Sequence, residues 1–223
     1  MKSFLIIGMG SFGHHLCHTF AETDCEIMVA DINAEAVEDV LSLGVSARIG
    51  DCSNPDVLAS FGLNLFDACF VCMGTDFQHS LEITSLLKEM GAKKVFSKAD
   101  EDIQAKFLRK NGADVVIYPE KDIAAQLAVE ASYDDIFDCI PFVDNYYIVE
   151  IQPAEEWVGK TIGAVNFRAN YNLTILATKK ENTIHPIPPV HYVFQADEHL
   201  MILGHMDDVK RVAESVHHKK KKY

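Results

Sequence analysis

Short apolar runs alternate with amphipathic segments over residues 1–118 of the chain. Residues 4–7 form a continuous apolar run, which is typical of a strand buried on both faces of a sheet. Behind it, Phe12, Leu16 and Phe20 recur at four-residue spacing, which predicts one apolar face of a helix. Further strands are predicted at 26–30, 46–49, 68–73, 95–97 and 115–118, with helices between them. Successive β-α units of this kind predict an α/β fold with a doubly wound parallel sheet.

The second predicted helix has an apolar stripe and a glycine at its end. Residues 34–43 place Val37, Val40 and Leu41 on one stripe, which we expect to face the core. Gly44 follows the stripe and is expected to end the helix, because glycine readily adopts the left-handed conformation of a C-cap.

A different pattern begins after the last of these units. Residues 120–133 predict a crossover helix, and residues 134–138 predict a short polar connection. Strand-like runs follow at 146–151, 173–178, 184 and 200–203, and helical runs lie near 161–166 and 207–216. This mixture predicts a small α+β C-terminal domain. We therefore expect a doubly wound domain at 1–118, a crossover helix and linker at 119–139, the small domain at 140–216 and a basic tail at 217–223.

The balance of charges narrows the range of partners. Of the 223 residues, 48% are hydrophobic, and 20 Lys and Arg against 33 Asp and Glu give a net charge of −13. Because a body this acidic repels a phosphate backbone, nucleic-acid binding is not expected. The basic run Lys219–Lys222 is the exception, and it predicts a solvated, disordered tail.

Apolar length and cysteine usage indicate an intracellular protein. No apolar stretch approaches the ~20 residues of a membrane helix, and the opening run is too short for a signal peptide. Cys69 and Cys72 are expected to be core residues, because side chains three apart on a strand point to opposite faces. His14 and His18 lie four apart on a helix without an evident third ligand, which favours a solvated polar face over a metal site.

The first predicted strand leads into the motif Gly8-Met9-Gly10-Ser11-Phe12-Gly13. A G-x-G-x-x-G sequence between a buried strand and a helix is typical of Rossmann-type dinucleotide-binding domains. Gly8 is expected to form the tight turn, Gly10 to let a diphosphate approach the backbone, and Gly13 to let the helix pack closely. Asp31, at the end of the second strand, is expected to bind the ribose hydroxyls. Because a carboxylate repels a 2′-phosphate, Asp31 favours NAD or an adenosine nucleotide over NADP.

Two further strand ends lie at the same edge of the predicted sheet. Gly50-Asp51-Cys52 follows the third strand, and Met73-Gly74-Thr75-Asp76 follows the fourth. Ligands bind beyond the carboxyl ends of parallel strands, so the second segment is expected to wall the site. Two roles are open for Asp51: it accepts a hydrogen bond from an adenine amino group, or it complements the N-terminus of the helix that begins at Pro55.

Segments spread in order over residues 1–212 resemble the regulatory subunits of Ktr/Trk-type potassium uptake systems. The resemblance is carried by 6–13, 29–33, Lys98-Ala99, Gly112-Ala113-Asp114, 118–122, 149–151, 166–169 and 200–205. It implies a cytoplasmic gating subunit that is not an enzyme and lies against the inner face of the membrane. It also implies a dimer through the helix after Pro119, assembled into an octameric ring beneath a membrane potassium channel.

The motif and the resemblance together define the expected nucleotide contacts. These are Gly8, Gly10, Ser11, Phe12, Gly13, Asp31, Ile32, Asp51, Cys52, Met73, Gly74 and Lys98. Related subunits that respond to ATP often carry an arginine at the position of Ser11, and that arginine reaches nucleotide phosphates across a dimer. Without it, NAD, ADP and AMP are as consistent with the sequence as ATP.

The resemblance further implies a divalent-cation ligand at Glu120, in the first turn of the crossover helix. In the related subunits, glutamates from two chains meet near bound phosphates, which suits Ca²⁺ or Mg²⁺. The alternative is that Glu120 only complements the N-terminus of its helix.

A second ligand site is implied in the C-terminal module. Ile162, Arg168 and either Ile187 or Pro188 correspond to a cleft that binds cyclic di-adenosine monophosphate in some members, with Arg168 just after a short helix and residues 186–189 as a stiff extended wall. The alternative is that Arg168 pairs with an acidic surface residue and the apolar residues form a dimer core.

Two other functions compete with the gating subunit. One is a small NAD-dependent oxidoreductase, although none of the histidines of the small domain lies in a proton-transfer motif. The other is a nucleotide-sensing module of a different transporter.

Overall fold

A computed structural model describes residues 1–74, 76–133, 136–181 and 183–220, with side chains up to residue 213. The chain forms two compact units, Met1–Lys121 and Asp122–Tyr223. Within the described part of the chain, no helix is both long enough and apolar enough to cross a membrane.

The first unit contains a six-stranded parallel sheet in the order β3-β2-β1-β4-β5-β6. Its strands are β1 (Lys2–Ile7), β2 (Cys25–Asp31), β3 (Ser46–Ile49), β4 (Ala68–Val71), β5 (Val95–Lys98) and β6 (Val115–Ile117). This order and the helices between the strands confirm the predicted doubly wound, Rossmann-type sheet. The strand order reverses between β1 and β4, where the carboxyl ends of the strands leave a crevice.

Five α-helices of the first unit follow the strands, and three of them begin at a capping side chain. They are α1 (Ser11–Ala21), α2 (Ala34–Glu38), α3 (Pro55–Ala59), α4 (Phe77–Glu89) and α5 (Asp102–Lys110). Asn33, Asn54 and Asp76 each accept a backbone N–H hydrogen bond in the first turn of α2, α3 and α4. Thr75, which directly precedes Asp76, lies outside the described residues.

Both faces of the sheet are packed, as the apolar strands predict. Cys69 lies in the core on one face and Cys72 in the core on the other. Burial raises the pKa of each thiol to about 12. The two cysteines are therefore core residues, and their thiols stay protonated at neutral pH.

The predicted helix at 34–43 is shorter than expected. Helix α2 ends at Glu38, and a single 3₁₀ turn follows at Leu41–Leu43, closed by Gly44 with φ +77°. Val37 and Val40 are buried, whereas Leu41 is 50% exposed. The two valines are enough to anchor this short segment to the core, so the prediction that Leu41 also faces the core was wrong.

The second unit contains a five-stranded antiparallel sheet in the order β10-β9-β11-β8-β7. Its strands are β7 (Ile136–Val143), β8 (Tyr146–Ile151), β9 (Thr174–Lys180), β10 (Thr183–Pro186) and β11 (His199–His205). Helix α6 (Pro119–Ser132) spans the boundary of the two units in sequence, and α7 (Ile162–Val165), α8 (Phe167–Tyr171) and α9 (Met206–Lys220) complete the unit. Trp157, Phe167 and Phe194 form the aromatic centre of its core.

Strand β7 corrects the predicted polar connection at 134–138. Residues 136–138 belong to the strand, while 134 and 135 lie outside the described residues. Pro141 lies within β7, which is possible because β7 is an edge strand and one of its sides needs no hydrogen-bond partner.

Arg168 comes just after the short helix α7, as expected, and also lies inside a second short helix, α8. A different expectation for the C-terminal module is wrong. Residues 186–189 do not form an extended wall, because Ile187 adopts φ +52° and its N–H donates to the Leu176 carbonyl at 2.8 Å. The chain therefore turns at Ile187, immediately after β10.

The predicted basic tail is partly helical. Helix α9 continues to Lys220, so Lys219 and Lys220 are helical and not disordered. Residues 221–223, with the rest of the lysine run, lie outside the described residues.

Candidate functional site at the carboxyl edge of the parallel sheet

The glycine motif forms a tight turn between β1 and α1. Gly8 has φ +91°, and its N–H donates to the Ala30 carbonyl at 2.9 Å. A Cβ on Gly13 would lie 2.0 Å from the Gly8 carbonyl oxygen, so only glycine allows α1 to approach β1 this closely. A Cβ on Gly10 would meet no atom within 4 Å, which leaves open space at the first backbone N–H groups of α1. That space suits an anionic group.

Asp31 is held in place by the backbone at the end of β2. Its Oδ2 accepts the Met9 N–H at 2.6 Å, and its Oδ1 accepts the Asn33 N–H at 2.8 Å. These two hydrogen bonds fix the carboxylate beside the glycine turn. A fixed acceptor there can bind a pair of ribose hydroxyls.

Two cavities open at this edge of the sheet and share Gly8, Asp31, Met73 and Asp76. The first has a volume of about 140 Å³ and is also lined by Ile7, Ala30, Ile32, Gly50, Asp51, Cys52, His79 and Ile83. The second has a volume of about 480 Å³ and is also lined by Gly10, Ser11, Phe12, His15, Cys72, Gly74, Lys98, Asp100 and Glu120. The shared residues make the two cavities neighbours along one groove.

The expected nucleotide contacts converge on this groove. Gly8, Gly10, Ser11, Phe12, Asp31, Ile32, Asp51, Cys52, Met73, Gly74 and Lys98 line one cavity or both. Gly13 is buried beneath the turn and shapes the site without lining it. Each of these residues follows a strand or opens a helix at the same sheet edge, which explains why sequence reasoning could bring them together.

His15, His79 and Asp100 also line the groove, and sequence reasoning did not select them. Asp100 follows β5, so the position of the strand end was an available signal. His15 lies one turn inside α1 and His79 lies in the first turn of α4, where a sequence pattern does not show which side faces the groove.

Asp51 supplies an ionised acceptor to the first cavity. Its Oδ1 accepts hydrogen bonds from the Ser53 N–H at 2.9 Å and the Ser53 hydroxyl at 2.7 Å. These hydrogen bonds lower the pKa of Asp51. Asn54 caps the following helix, so Asp51 is not its capping residue.

Lys98 supplies the second cavity with a positive charge. Its Nζ lies 2.8 Å from Asp100 Oδ1 and 2.8 Å from Glu120 Oε1. Burial favours a lower pKa for Lys98, but the hydrogen bonds to the two carboxylates outweigh it and raise the pKa. The hydrogen bond from Lys98 lowers the pKa of Glu120. Lys98 and Glu120 are therefore both charged at neutral pH.

In the described part of the single chain, no group of three His, Cys, Asp or Glu side chains could hold a metal ion. Glu120 pairs with Lys98 in this chain. The rings of His14 and His18 lie 4.5 Å apart on α1. A cation at Glu120 shared between two chains stays a prediction.

In the second unit, the three residues expected to bind a second ligand have different environments. Ile162 packs against the core, and Arg168 is exposed on α8. The Ile162 N–H donates to the Tyr192 carbonyl at 2.9 Å, so the segment that contains Ile162 pairs with the chain just after Pro188. A cyclic dinucleotide site at these residues stays a prediction.

Comparison with known proteins identifies the domains. Residues 4–119 match the family model of the TrkA-N domain, and residues 146–217 match that of the TrkA-C domain. Ktr system potassium uptake protein C of Bacillus subtilis (strain 168) is 31% identical over 219 residues, which cover 98% of this chain and 99% of the relative. Protein A of the same system and organism is 34% identical over 210 residues, which cover 94% and 95%.

Solved structures show the same fold at lower identity. The GsuK channel bound to NAD aligns with a TM-score of 0.66 at 16% identity, over 93% of this chain and 38% of that chain. The GsuK RCK domain aligns with a TM-score of 0.65 at 15% identity, over 96% and 47%. The chain thus spans less than half the length of either structure's chain. The two domain matches and the full-length relatives show that the protein belongs to the Ktr/Trk family of potassium uptake proteins, which join a TrkA-N domain to a TrkA-C domain.

Proposed function

We propose that the protein is a nucleotide-binding regulatory subunit of a potassium uptake system and that it acts by binding and not by catalysis. Membership of the family supports the potassium system, since full-length relatives are Ktr system potassium uptake proteins A and C. The groove at the sheet edge supports the nucleotide. The observation that carries the proposal is the fixed carboxylate of Asp31 beside the open space at Gly10.

The nucleotide lies along the groove in this proposal. The diphosphate contacts the backbone at Gly10 and Ser11, where the α1 N-terminus favours an anion. The ribose hydroxyls bind Asp31, and the base enters the first cavity beside Asp51 and Cys52. An aromatic base suits a small cavity whose lining is mostly apolar and includes the acceptors Asp31 and Asp51.

The charges of the groove favour a weakly charged adenine nucleotide. Among the residues that line the two cavities, the acidic ones are Asp31, Asp51, Asp76, Asp100 and Glu120, and the lysine is Lys98. Each phosphate charge added to a ligand increases the repulsion. NAD, whose diphosphate is partly balanced by its nicotinamide charge, therefore fits one chain better than ATP, and ADP and AMP lie between them. A neighbouring GsuK structure is a channel bound to NAD.

The regulatory action follows from unequal binding to two arrangements. A ligand shifts a conformational equilibrium only if it binds the two states with different affinity. We propose that the two arrangements belong to a homo-oligomer, a dimer or a ring of dimers, at the cytoplasmic face of a membrane potassium transporter. A divalent cation shared by Glu120 residues and a cyclic dinucleotide in the second unit are further proposals for the same assembly.

Calorimetric titration of the full chain with NAD and ADP tests the nucleotide site. We expect Asp31→Ala to weaken both ligands about tenfold or more, because charged hydrogen bonds of this type contribute ~1.5–3 kcal/mol. Asp24→Ala is the matched control, since Asp24 is exposed and lines neither cavity. Unchanged affinity in Asp31→Ala, or no nucleotide binding by the unaltered chain, would overturn the proposal.

A further inference from the structure

Asp76 and His79 form a paired group at the rim of the first cavity. Asp76 is the N-cap of α4, and His79 lies in its first turn. Both residues line the cavity, and Asp51 on the loop after β3 is among its other lining residues. The glycine turn and Asp31 explain the binding of a diphosphate and a ribose, but they leave the choice of base open.

The pairing with Asp76 fixes which nitrogen of the His79 ring carries the proton. Its Nδ1 lies 2.6 Å from Asp76 Oδ2, and the other carboxylate oxygen of Asp76 accepts the His79 backbone N–H at 3.2 Å. A carboxylate can only accept, so Nδ1 carries the proton. Nε2 is then an acceptor in the neutral imidazole and a donor in the imidazolium.

We propose that His79, oriented by Asp76, and Asp51 together select the group at position 6 of the purine, and that the protonation of His79 sets the preference. The inference rests on the proposed nucleotide site. Neutral His79 and ionised Asp51 are two acceptors, which match the two hydrogens of the adenine 6-amino group. A 6-oxo purine presents an acceptor at that position, which repels both groups.

Protonation of His79 reverses part of this preference. The imidazolium offers an Nε2–H donor, which no longer accepts from an amino group and can donate to a 6-oxo group. The charged groups that face His79 are all acidic: Asp76 and Glu82 on α4, and Asp51 from the loop after β3. The hydrogen bond and charge of Asp76, helped by Glu82 and Asp51, raise the pKa of His79. The switch therefore falls above the ordinary pKa of histidine.

Proton linkage gives the two kinds of purine opposite signs. Adenine requires neutral His79, so binding of an adenine nucleotide releases protons. A hypoxanthine nucleotide is bound better by the imidazolium, so its binding takes up protons. Falling pH therefore weakens the adenine ligand and strengthens the hypoxanthine ligand.

The test is calorimetric titration of the full chain in two buffers of different ionisation enthalpy, from about pH 8 to about pH 6. The probes are NAD and its hypoxanthine analogue, neither of which has a phosphate that titrates in this range. ADP and inosine diphosphate form a second pair. Their phosphates contribute equally to the protons exchanged on binding, so this contribution cancels when the two ligands are compared. We expect proton release with the adenine member, proton uptake with the hypoxanthine member, and NAD affinity about tenfold lower at the acid end.

Variants separate a base-reading role from a structural one. His79→Gln cannot titrate, so it should bind both members of a pair without the difference in proton linkage. Asp76→Asn keeps a good N-cap and removes the charge, so the transition should move to lower pH. His18→Gln is the matched control, because His18 lines neither cavity, and it should retain both linkages.

The outcomes distinguish this inference from the proposed function. If adenine nucleotides bind but both purines show the same linkage, or if His79→Gln retains the difference, the base-reading role is wrong and the nucleotide site stands. If none of the four ligands binds the unaltered chain, the proposed function is overturned and this inference falls with it.

Discussion

At the scale of single residues, two glycines of one motif perform separable tasks. Gly13 has no room for a Cβ, because the Gly8 carbonyl would lie 2.0 Å away. A Cβ on Gly10 would meet no atom of the chain, but it would occupy the space that a ligand needs. Packing and binding therefore depend on different positions of the same turn.

Alanine at each glycine should separate the two tasks. We expect Gly13→Ala to lower the free energy of unfolding by about 3 kcal/mol or more, because the backbone has to shift. Gly10→Ala should cost less than ~1 kcal/mol, the usual range for a changed N-cap. It should nevertheless weaken NAD about tenfold or more, since its Cβ occupies the diphosphate space. Urea denaturation and calorimetry measure the two effects, and equal stability losses in both variants would contradict the assignment.

At the scale of elements, three strands of the antiparallel sheet meet around a buried carboxylate. Glu150 on β8 accepts from Lys179 on β9 at 2.9 Å, and its Oε1 lies 2.6 Å from His199 Nδ1 on β11. The Glu150 side chain is only 9% exposed. Burial favours a higher pKa for Glu150, but the hydrogen bonds from Lys179 and His199 outweigh it and lower the pKa. The ionised form is therefore the one that stabilises the folded sheet.

This lowered pKa predicts a loss of stability in acid. The contribution of Glu150 is present above its ordinary pKa of 4.5 and declines as the pH falls through the lower folded value. We expect Glu150→Gln to reduce the free energy of unfolding by about 1–3 kcal/mol at neutral pH and to flatten the acid slope. Urea denaturation at about pH 7 and about pH 4 measures both effects.

An exposed ion pair on the same sheet region provides the control. Asp197 pairs with Lys180 at 2.8 Å, but its side chain is 66% exposed. Surface pairs contribute little, so Asp197→Asn should leave stability almost unchanged. If Glu150→Gln were as mild as this control, the buried cluster would have no stabilising role.

At the scale of the whole molecule, α6 carries apolar side chains that the single chain leaves uncovered. Ile123 and Leu127 on this helix are 54% and 56% exposed. Two such residues one turn apart form a stripe that a second copy of the helix can cover. This is consistent with the predicted dimer through the helix that begins at Pro119.

A charge on this stripe should weaken self-association. We expect Leu127→Glu to shift the protein toward monomer, because a carboxylate in an apolar helix interface is costly to bury. Leu65→Glu is the matched control, since Leu65 is 68% exposed at a different place in the first unit. Sedimentation velocity of both variants measures the change. A monomeric unaltered chain, or equal oligomers in all three proteins, would contradict the dimer through α6.

The sequence by itself determined the parallel sheet and the location of the groove. Continuous apolar runs specify strands buried on both faces, and their alternation with amphipathic helices specifies a parallel sheet covered by helices. The G-x-G-x-x-G spacing specifies the turn because sterics at Gly8 and Gly13 are local to the chain. Asp31 and Asp51 were predictable because Asp31 ends β2 and Asp51 follows β3, and parallel strands present their carboxyl ends at one edge.

Only the tertiary structure decided which helical side chains enter the groove and how the antiparallel unit is paired. His15 and His79 line the cavities because α1 and α4 pack at particular rotations against the sheet, which periodicity does not specify. Pro141 could lie in β7 only because this strand occupies an edge. The turn at Ile187 likewise depends on a hydrogen bond to Leu176, on a neighbouring strand. Contacts between distant segments, and not local preference, determine these features.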